Sequence, residues 1–180
     1  MAKLSPTPRL KIIAVAFVTA SASIAAYTAL QSVLSLSVIL PLVLLYAGIE
    51  LNTYPSICCF QTLAPSRNVV QYALDAILVV LYLLMAWNIG VTIVFTFLCG
   101  CMFVVAALKY AHMLGAVEYD KLLRDKIIVD LLGAFCAFLV LPLILVFPNP
   151  AILWAWAGAF WLAQYWIFVV RKLYRLPPVR

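Results

Sequence analysis

The chain has 180 residues, of which 68% are hydrophobic and only 10% are charged. A soluble domain is nearer half apolar and a quarter charged, so this composition excludes a water-soluble fold, whose apolar surface so few charges cannot cover. The bilayer must therefore be the solvent, and the backbone must satisfy its own hydrogen bonds as helices or as a closed barrel. The apolar segments run for about 20 residues without a period of two, which favours helices.

Six apolar segments follow one another, and each is close to the length that crosses a bilayer. We predict an all-α membrane protein, one polytopic domain over residues 1–180 built as a bundle of about six transmembrane helices. The predicted helices lie near residues 11–30, 33–51, 68–87, 91–110, 127–147 and 152–170. The basic start and small residues of the first segment also resemble a signal peptide. We interpret that segment as an anchoring first helix.

The charges are distributed unevenly among the connections. The connections after the first, third and fifth helices are short and uncharged, whereas the other segments carry nearly all the charge: Lys3, Arg9, Lys11, Arg67, residues 109–126, Arg171, Lys172, Arg175 and Arg180. The positive-inside rule therefore places both termini in the cytoplasm. The net charge of +6, from 12 basic and 6 acidic residues, fits contact with anionic membrane lipid rather than nucleic acid. A plasma, bacterial inner or organellar membrane is equally compatible.

Asp75 is the main candidate for a functional site, because an ionisable group inside a bilayer is costly. It lies about two turns into the third helix, with Gln71 one turn before it and Tyr82 two turns after it on the same face. This face predicts a site that binds a cation or relays a proton. The alternative is a structural carboxylate bonded to a tyrosine or lysine of a neighbouring helix.

Two further carboxylates are candidates for ion binding. Asp130 follows Lys126 by four residues, a spacing that also fits a salt bridge at the membrane surface. Glu50 falls at the inner end of the predicted second helix, and Lys109 and His112 at that of the fourth. These charges gather at the cytoplasmic side, either as the inner mouth of a pathway or as interfacial side chains that reach water. Without tertiary contacts we favour the interfacial interpretation.

Small residues recur four positions apart along the first helix, at Ala16 and Ala20 and at Ala22 and Ala26. This spacing lets another helix approach closely, within the protein or from a partner subunit. Together with the six-helix topology it resembles the substrate-binding subunits of energy-coupling-factor vitamin transporters, whose first helix docks a partner in this way. The resemblance covers topology and one helix. The short outer loops depart from it, because a vitamin site needs longer loops and more polar groups.

Motifs for hydrolysis, nucleotide binding and metal-dependent catalysis are absent from the sequence. His112 is the only histidine, so two-histidine haem ligation and a histidine-rich metal site are excluded. We therefore expect no cofactor and no metal. An unusual acid–base enzyme built on Asp75, Tyr82 or Glu50 stays open as a lesser alternative.

Two functional hypotheses follow from these patterns. The first is a homo-oligomeric small transporter or channel for a solute or ion, which uses Asp75 and the charges at the cytoplasmic side. It predicts that Asp75 faces a water-accessible cavity. The second is an accessory or assembly subunit of a heteromeric membrane complex, which predicts an exposed docking stripe and no continuous cavity. We favour transport, because an intramembrane carboxylate requires a reason.

Overall fold

The computed structural model describes residues 7–63, 68–114, 120–171 and 173–174. These residues form six helices and no strand: α1 Pro8–Leu30, α2 Leu36–Leu63, α3 Val69–Trp87, α4 Thr92–Met113, α5 Asp120–Val146 and α6 Pro150–Tyr165, the last continuing into a π-helical segment, Trp166–Val170. Each span is long and apolar enough to cross a membrane. The predicted all-α bundle of six such helices is confirmed, and it supports an integral membrane protein. Part of the basis for the predicted orientation lies outside the described residues, namely Lys3, Arg67, Lys172, Arg175 and Arg180.

Short polar residues determine where several helices begin. The Thr7 hydroxyl accepts a hydrogen bond from the Leu10 amide at 3.3 Å, and Pro8 follows it as the first helical residue. Asn68 caps α3 by accepting from the Gln71 amide at 2.9 Å, and Asn149 caps α6 in the same way before Pro150. Such caps satisfy amides that have no partner within the helix, which fixes the starting points.

The helices pack around the bundle in the order α1, α2, α6, α5, α4, α3 and back to α1. Half or more of the membrane spans of α2 and α4 is buried, and the two helices meet across the middle, where the rings of Tyr46 and Phe95 lie 6.4 Å apart. The connections 31–35, 88–91 and 147–149 lie at one end, as shown by the close approach of Gly90 to Ser32. We call the opposite end the charged end.

α6 is attached to α2 through indole N–H groups. Pro41 has no amide hydrogen, so the carbonyl of Ser37 loses its helical donor. The Trp154 indole donates to this carbonyl at 3.1 Å. About two turns further along α6, the Trp161 indole donates to the carbonyl of Leu44 at 3.0 Å. An unpaired carbonyl is costly in lipid, and here the neighbouring helix supplies the donor that Pro41 lacks.

The predicted end of the second helix near residue 51 is wrong, because α2 continues to Leu63 through Pro55. The polar residues after Glu50 are typical of a loop, but here they form hydrogen bonds inside the bundle. The Thr53 hydroxyl donates to the carbonyl of Ile49 at 2.8 Å and lies 2.5 Å from the Tyr82 hydroxyl. Glu50 consequently lies in the middle of a helix and not at its end.

Gly100 allows α4 and α5 to approach closely. A Cβ atom at Gly100 would lie 2.7 Å from the Phe138 ring, whereas one at Gly158 of α6 would meet nothing within 4 Å. We expect Gly100→Val to lower the free energy of unfolding by about 1–3 kcal/mol through overpacking. Gly158→Val carries the same change in helix propensity and serves as the control in thermal unfolding in detergent. Equal melting temperatures for the two variants would show that Gly100 is not a packing requirement.

Candidate functional site

A cavity of about 280 Å³ lies at the charged end, between α1, α2, α3, α4 and α5. We call it the charged cavity. Its charged lining consists of two carboxylates and two lysines: Asp75, Lys109, Lys126 and Asp130. Hydroxyl and amide groups add to its polar wall, among them Asn52, Thr53, Ser56, Tyr82 and Tyr110. Apolar side chains of α1, including Phe17, also line the cavity.

The first ion pair of the cavity joins α3 to α4. Lys109 Nζ lies 2.5 Å from Asp75 Oδ1, and the side chains are 10% and 26% exposed respectively. The carboxylate is therefore paired with a lysine, as the structural alternative predicted, and it also lines a cavity, as the transport hypothesis predicted. Asp75 keeps about a quarter of its side-chain surface open.

The second ion pair is buried far more deeply. Lys126 Nζ lies 2.5 Å from Asp130 Oδ1 within α5, and the side chains are 4% and 1% exposed. The predicted contact between residues four apart is present, but it lies inside the bundle and not at the membrane surface. The other carboxylate oxygen, Asp130 Oδ2, has no hydrogen-bond partner among the described residues. A buried acceptor in this state requires a donor.

Aromatic residues surround the two lysines. The ammonium groups of Lys109 and Lys126 lie 5.6 and 5.4 Å from the centre of the Tyr110 ring. The Phe60 ring packs against Tyr110 in a tilted arrangement, with the ring centres 4.5 Å apart. A ring face at this distance attracts a cation, and more strongly where water is excluded. Tyr110 therefore helps to hold both cations at the cavity wall.

Tyr174, beyond the π-helical segment, joins the end of the chain to α2. Its hydroxyl donates to Asn52 Oδ1 and accepts from the Ser56 hydroxyl at 2.9 Å. Burial raises the pKa of Tyr174, partly offset by the nearby Lys126 ammonium, so the hydroxyl keeps the proton that it donates. The contact fixes two polar residues of the cavity wall from behind.

Glu50 is separate from the cavity lining. It is 3% exposed, and the Ser21 hydroxyl of α1 donates to its Oε1 at 2.6 Å. The interpretation of Glu50 as an interfacial charge that reaches water is therefore wrong. Among the described residues its Oε2 has no hydrogen-bond partner, and Glu50 stays a predicted ion-binding or proton-carrying residue.

The structure brings together some of the predicted site residues. Asp75, Tyr82 and Asp130 all line the charged cavity, whereas Gln71 is buried on the same inward face of α3 without reaching the cavity. His112 lies apart as well, exposed and 2.8 Å from Asn68.

The four alanines of α1 that were predicted to pack against another helix are exposed on the bundle surface. These positions are Ala16, Ala20, Ala22 and Ala26. The inward face of α1 instead uses Ala14, Ser21 and Ala25. The predicted close approach of a partner helix at the four exposed alanines stays a prediction.

Several residues that shape the site are not among the functional candidates predicted from the sequence. Asn52, Thr53 and Ser56 fall outside the predicted second helix, and Tyr174 falls beyond the predicted last helix. The signal that could have found the first three is their spacing of three and four residues, which keeps them on one helical face. Gln164 had a simpler signal, because it is the only amide side chain inside an otherwise apolar helix.

Comparison with family models, curated proteins and solved structures finds no match to this chain. The chemistry of the site must therefore be argued from its geometry. In the described part of the chain, no three His, Cys, Asp or Glu residues converge in a way that could hold a metal ion. The cavity instead offers two cations and two carboxylates at its wall, an arrangement suited to binding a polar solute that carries charge.

Proposed function

We propose that this protein transports a small polar solute that carries both a positive and a negative group, with the charged cavity as its binding site. The observation that carries this proposal is the balance of charges in the cavity. Two lysines and two aspartates line it, and one carboxylate oxygen, Asp130 Oδ2, has no donor among the described residues.

A lone ion is a poorer fit to this wall than a zwitterion. A cation attracted by the carboxylates meets the opposing field of Lys109 and Lys126, and an anion meets that of Asp75 and Asp130. A solute with an ammonium and a carboxylate group can pair with both signs, and each such contact is a charge-assisted hydrogen bond. The Asp75 pair is the more exposed one, so we assign to it the first contact with the solute.

We assign the entrance of the cavity to the charged end. The half of the bundle away from the charged end is filled by fully buried apolar side chains: Leu42, Leu45, Met85, Ile89 and Phe95. A solute enters from the charged end and is stopped by this core. Transport therefore requires a second conformation in which the core opens, as in alternating access around a fixed site.

The positive-inside rule supports a cytoplasmic location for the charged end. Arg9 and Lys11 are exposed there at the start of α1, and Arg171 is exposed after α6. We therefore propose that both termini and the mouth of the cavity face the cytoplasm.

Uptake into proteoliposomes tests the function. We expect labelled small zwitterions, a panel of glycine, alanine, proline and glutamine, to enter vesicles with the protein faster than protein-free vesicles. Val79→Trp places an indole in the cavity and is expected to abolish uptake, because Val79 lines it. Val80→Trp is the matched control, since Val80 is exposed and is absent from the cavity lining. Absence of uptake for the whole panel, or equal uptake by both variants, would contradict the proposal.

A second candidate function is favoured by the outward face of α1. Its exposed small residues, such as Ala16 and Ala20, permit close contact with a helix of another subunit. This is the surface expected of an accessory subunit in a larger complex. Native mass spectrometry after gentle extraction separates the candidates: a stoichiometric foreign subunit favours the accessory function, and a partner-free protein or homo-oligomer favours transport.

A further inference from the structure

A second cavity, of about 370 Å³, lies between α5 and α6, and we call it the lateral cleft. These two helices make the thinnest contact of any neighbours in the bundle, which leaves the gap. Apolar and aromatic side chains form most of its wall, among them Leu132, Trp156 and Phe160. In a membrane, a gap of this kind between two helices is accessible to lipid chains.

Polar groups of the lateral cleft are restricted to the charged end. Asp125 of α5 and Arg171 after the π-helical segment line the cleft there, and Gln164 of α6 lies between them and the apolar wall. The Arg171 guanidinium lies 5.9 Å from the Trp166 ring, which also lines the cleft. Asp125 forms no ion pair within the described part of the chain. One acidic and one basic side chain thus line the charged end of an apolar slot.

Gln164 points to a ligand with a hydrogen-bond donor. Its side chain is 3% exposed, and Oε1 has no hydrogen-bond partner among the described residues. Leaving a buried acceptor unpaired is unfavourable. The terminal torsion of a glutamine is broad, so its amide oxygen can turn toward an N–H group in the cleft.

We propose that the lateral cleft binds one ethanolamine phospholipid. An acyl chain lies along Leu132, Trp156 and Phe160, and the phosphate pairs with Arg171. The primary ammonium group donates to Asp125 and to Gln164 Oε1. A choline headgroup carries the same charges but no N–H donor, so it leaves the glutamine oxygen unpaired. The lateral cleft is a separate cavity from the proposed transport site, and the two share Asn52 and Phe103 in their walls.

The test compares two headgroups on the same acyl chains. The protein is reconstituted in vesicles with equal amounts of phosphatidylethanolamine and phosphatidylcholine, and the lipids that it retains are counted by native mass spectrometry. We expect one retained lipid, with an excess of ethanolamine over choline of about tenfold, which one charge-assisted hydrogen bond can supply. Gln164→Leu removes the acceptor that choline leaves unpaired, so it should remove this preference while retaining a lipid.

Ala159→Phe tests the location of the lipid. Ala159 is exposed on α6 and lines the cleft, so the added ring fills the slot and should abolish retention. Ala155→Phe is the matched control, because Ala155 is exposed on the same helix outside the cleft lining. Equal retention of the two headgroups by the wild type would overturn the ethanolamine assignment. Unchanged retention by folded Ala159→Phe would overturn the site itself.

Discussion

Lys126→Met is expected to lower the free energy of unfolding by about 3–5 kcal/mol, the cost of breaking a buried ion pair by removing one partner. Lys126 Nζ lies 2.5 Å from Asp130 Oδ1, and both side chains are almost fully buried. Methionine keeps most of the volume of the lysine stem, so the loss comes from the carboxylate left without its counter-charge. The measurement is unfolding in mixed micelles by titration with a denaturing detergent.

Two further variants separate the charge effect from packing. Lys121→Met makes the same chemical change at an exposed position of α5 and should leave the unfolding midpoint unchanged. The double variant Lys126→Met/Asp130→Leu removes both charges and should recover most of the stability, because a buried pair is often replaceable by apolar residues. If Lys126→Met unfolds at the same point as Lys121→Met, the pair contributes nothing measurable to the fold.

The helix count could be predicted from sequence because it depends on local properties alone. Each span is a run of apolar residues of membrane-crossing length, and no tertiary information is needed to recognise it. The end of α2 could not be predicted in this way. Pro55 and its polar neighbours are typical of a loop in water, but Thr53 meets Tyr82 of α3 inside the bundle. Whether such residues continue a helix depends on which helix packs beside them.

The ion pairs show the same limit. The contact of Lys126 with Asp130 is predictable, because residues four positions apart in a helix lie on the same face and their side chains meet. Its burial is not, since that depends on α4 covering α5. The contact of Lys109 with Asp75 joins two helices, and the order of helices around the bundle decides which residues meet. The lateral cleft is still harder to predict, because it arises from the sparse packing of α5 against α6.

Asp75→Asn is expected to lower the initial rate of zwitterion uptake about tenfold or more, the effect of one charge-assisted hydrogen bond to the solute. Its effect on stability should be small. The pair with Lys109 has the same 2.5 Å distance as the buried pair, but Asp75 is 26% exposed where Asp130 is 1% exposed. Partial hydration weakens the attraction, and asparagine still offers an oxygen to the lysine.

Uptake by Asp120→Asn provides the control, because Asp120 begins α5 and is absent from the cavity lining. Both variants are measured for initial uptake rate and for thermal unfolding in the same detergent. A large loss of stability in Asp75→Asn with normal uptake would assign this pair to the fold and remove the main support for transport. Loss of uptake with an unchanged melting temperature would mean that the pair of Asp75 and Lys109 contributes to solute binding and not to the stability of the fold.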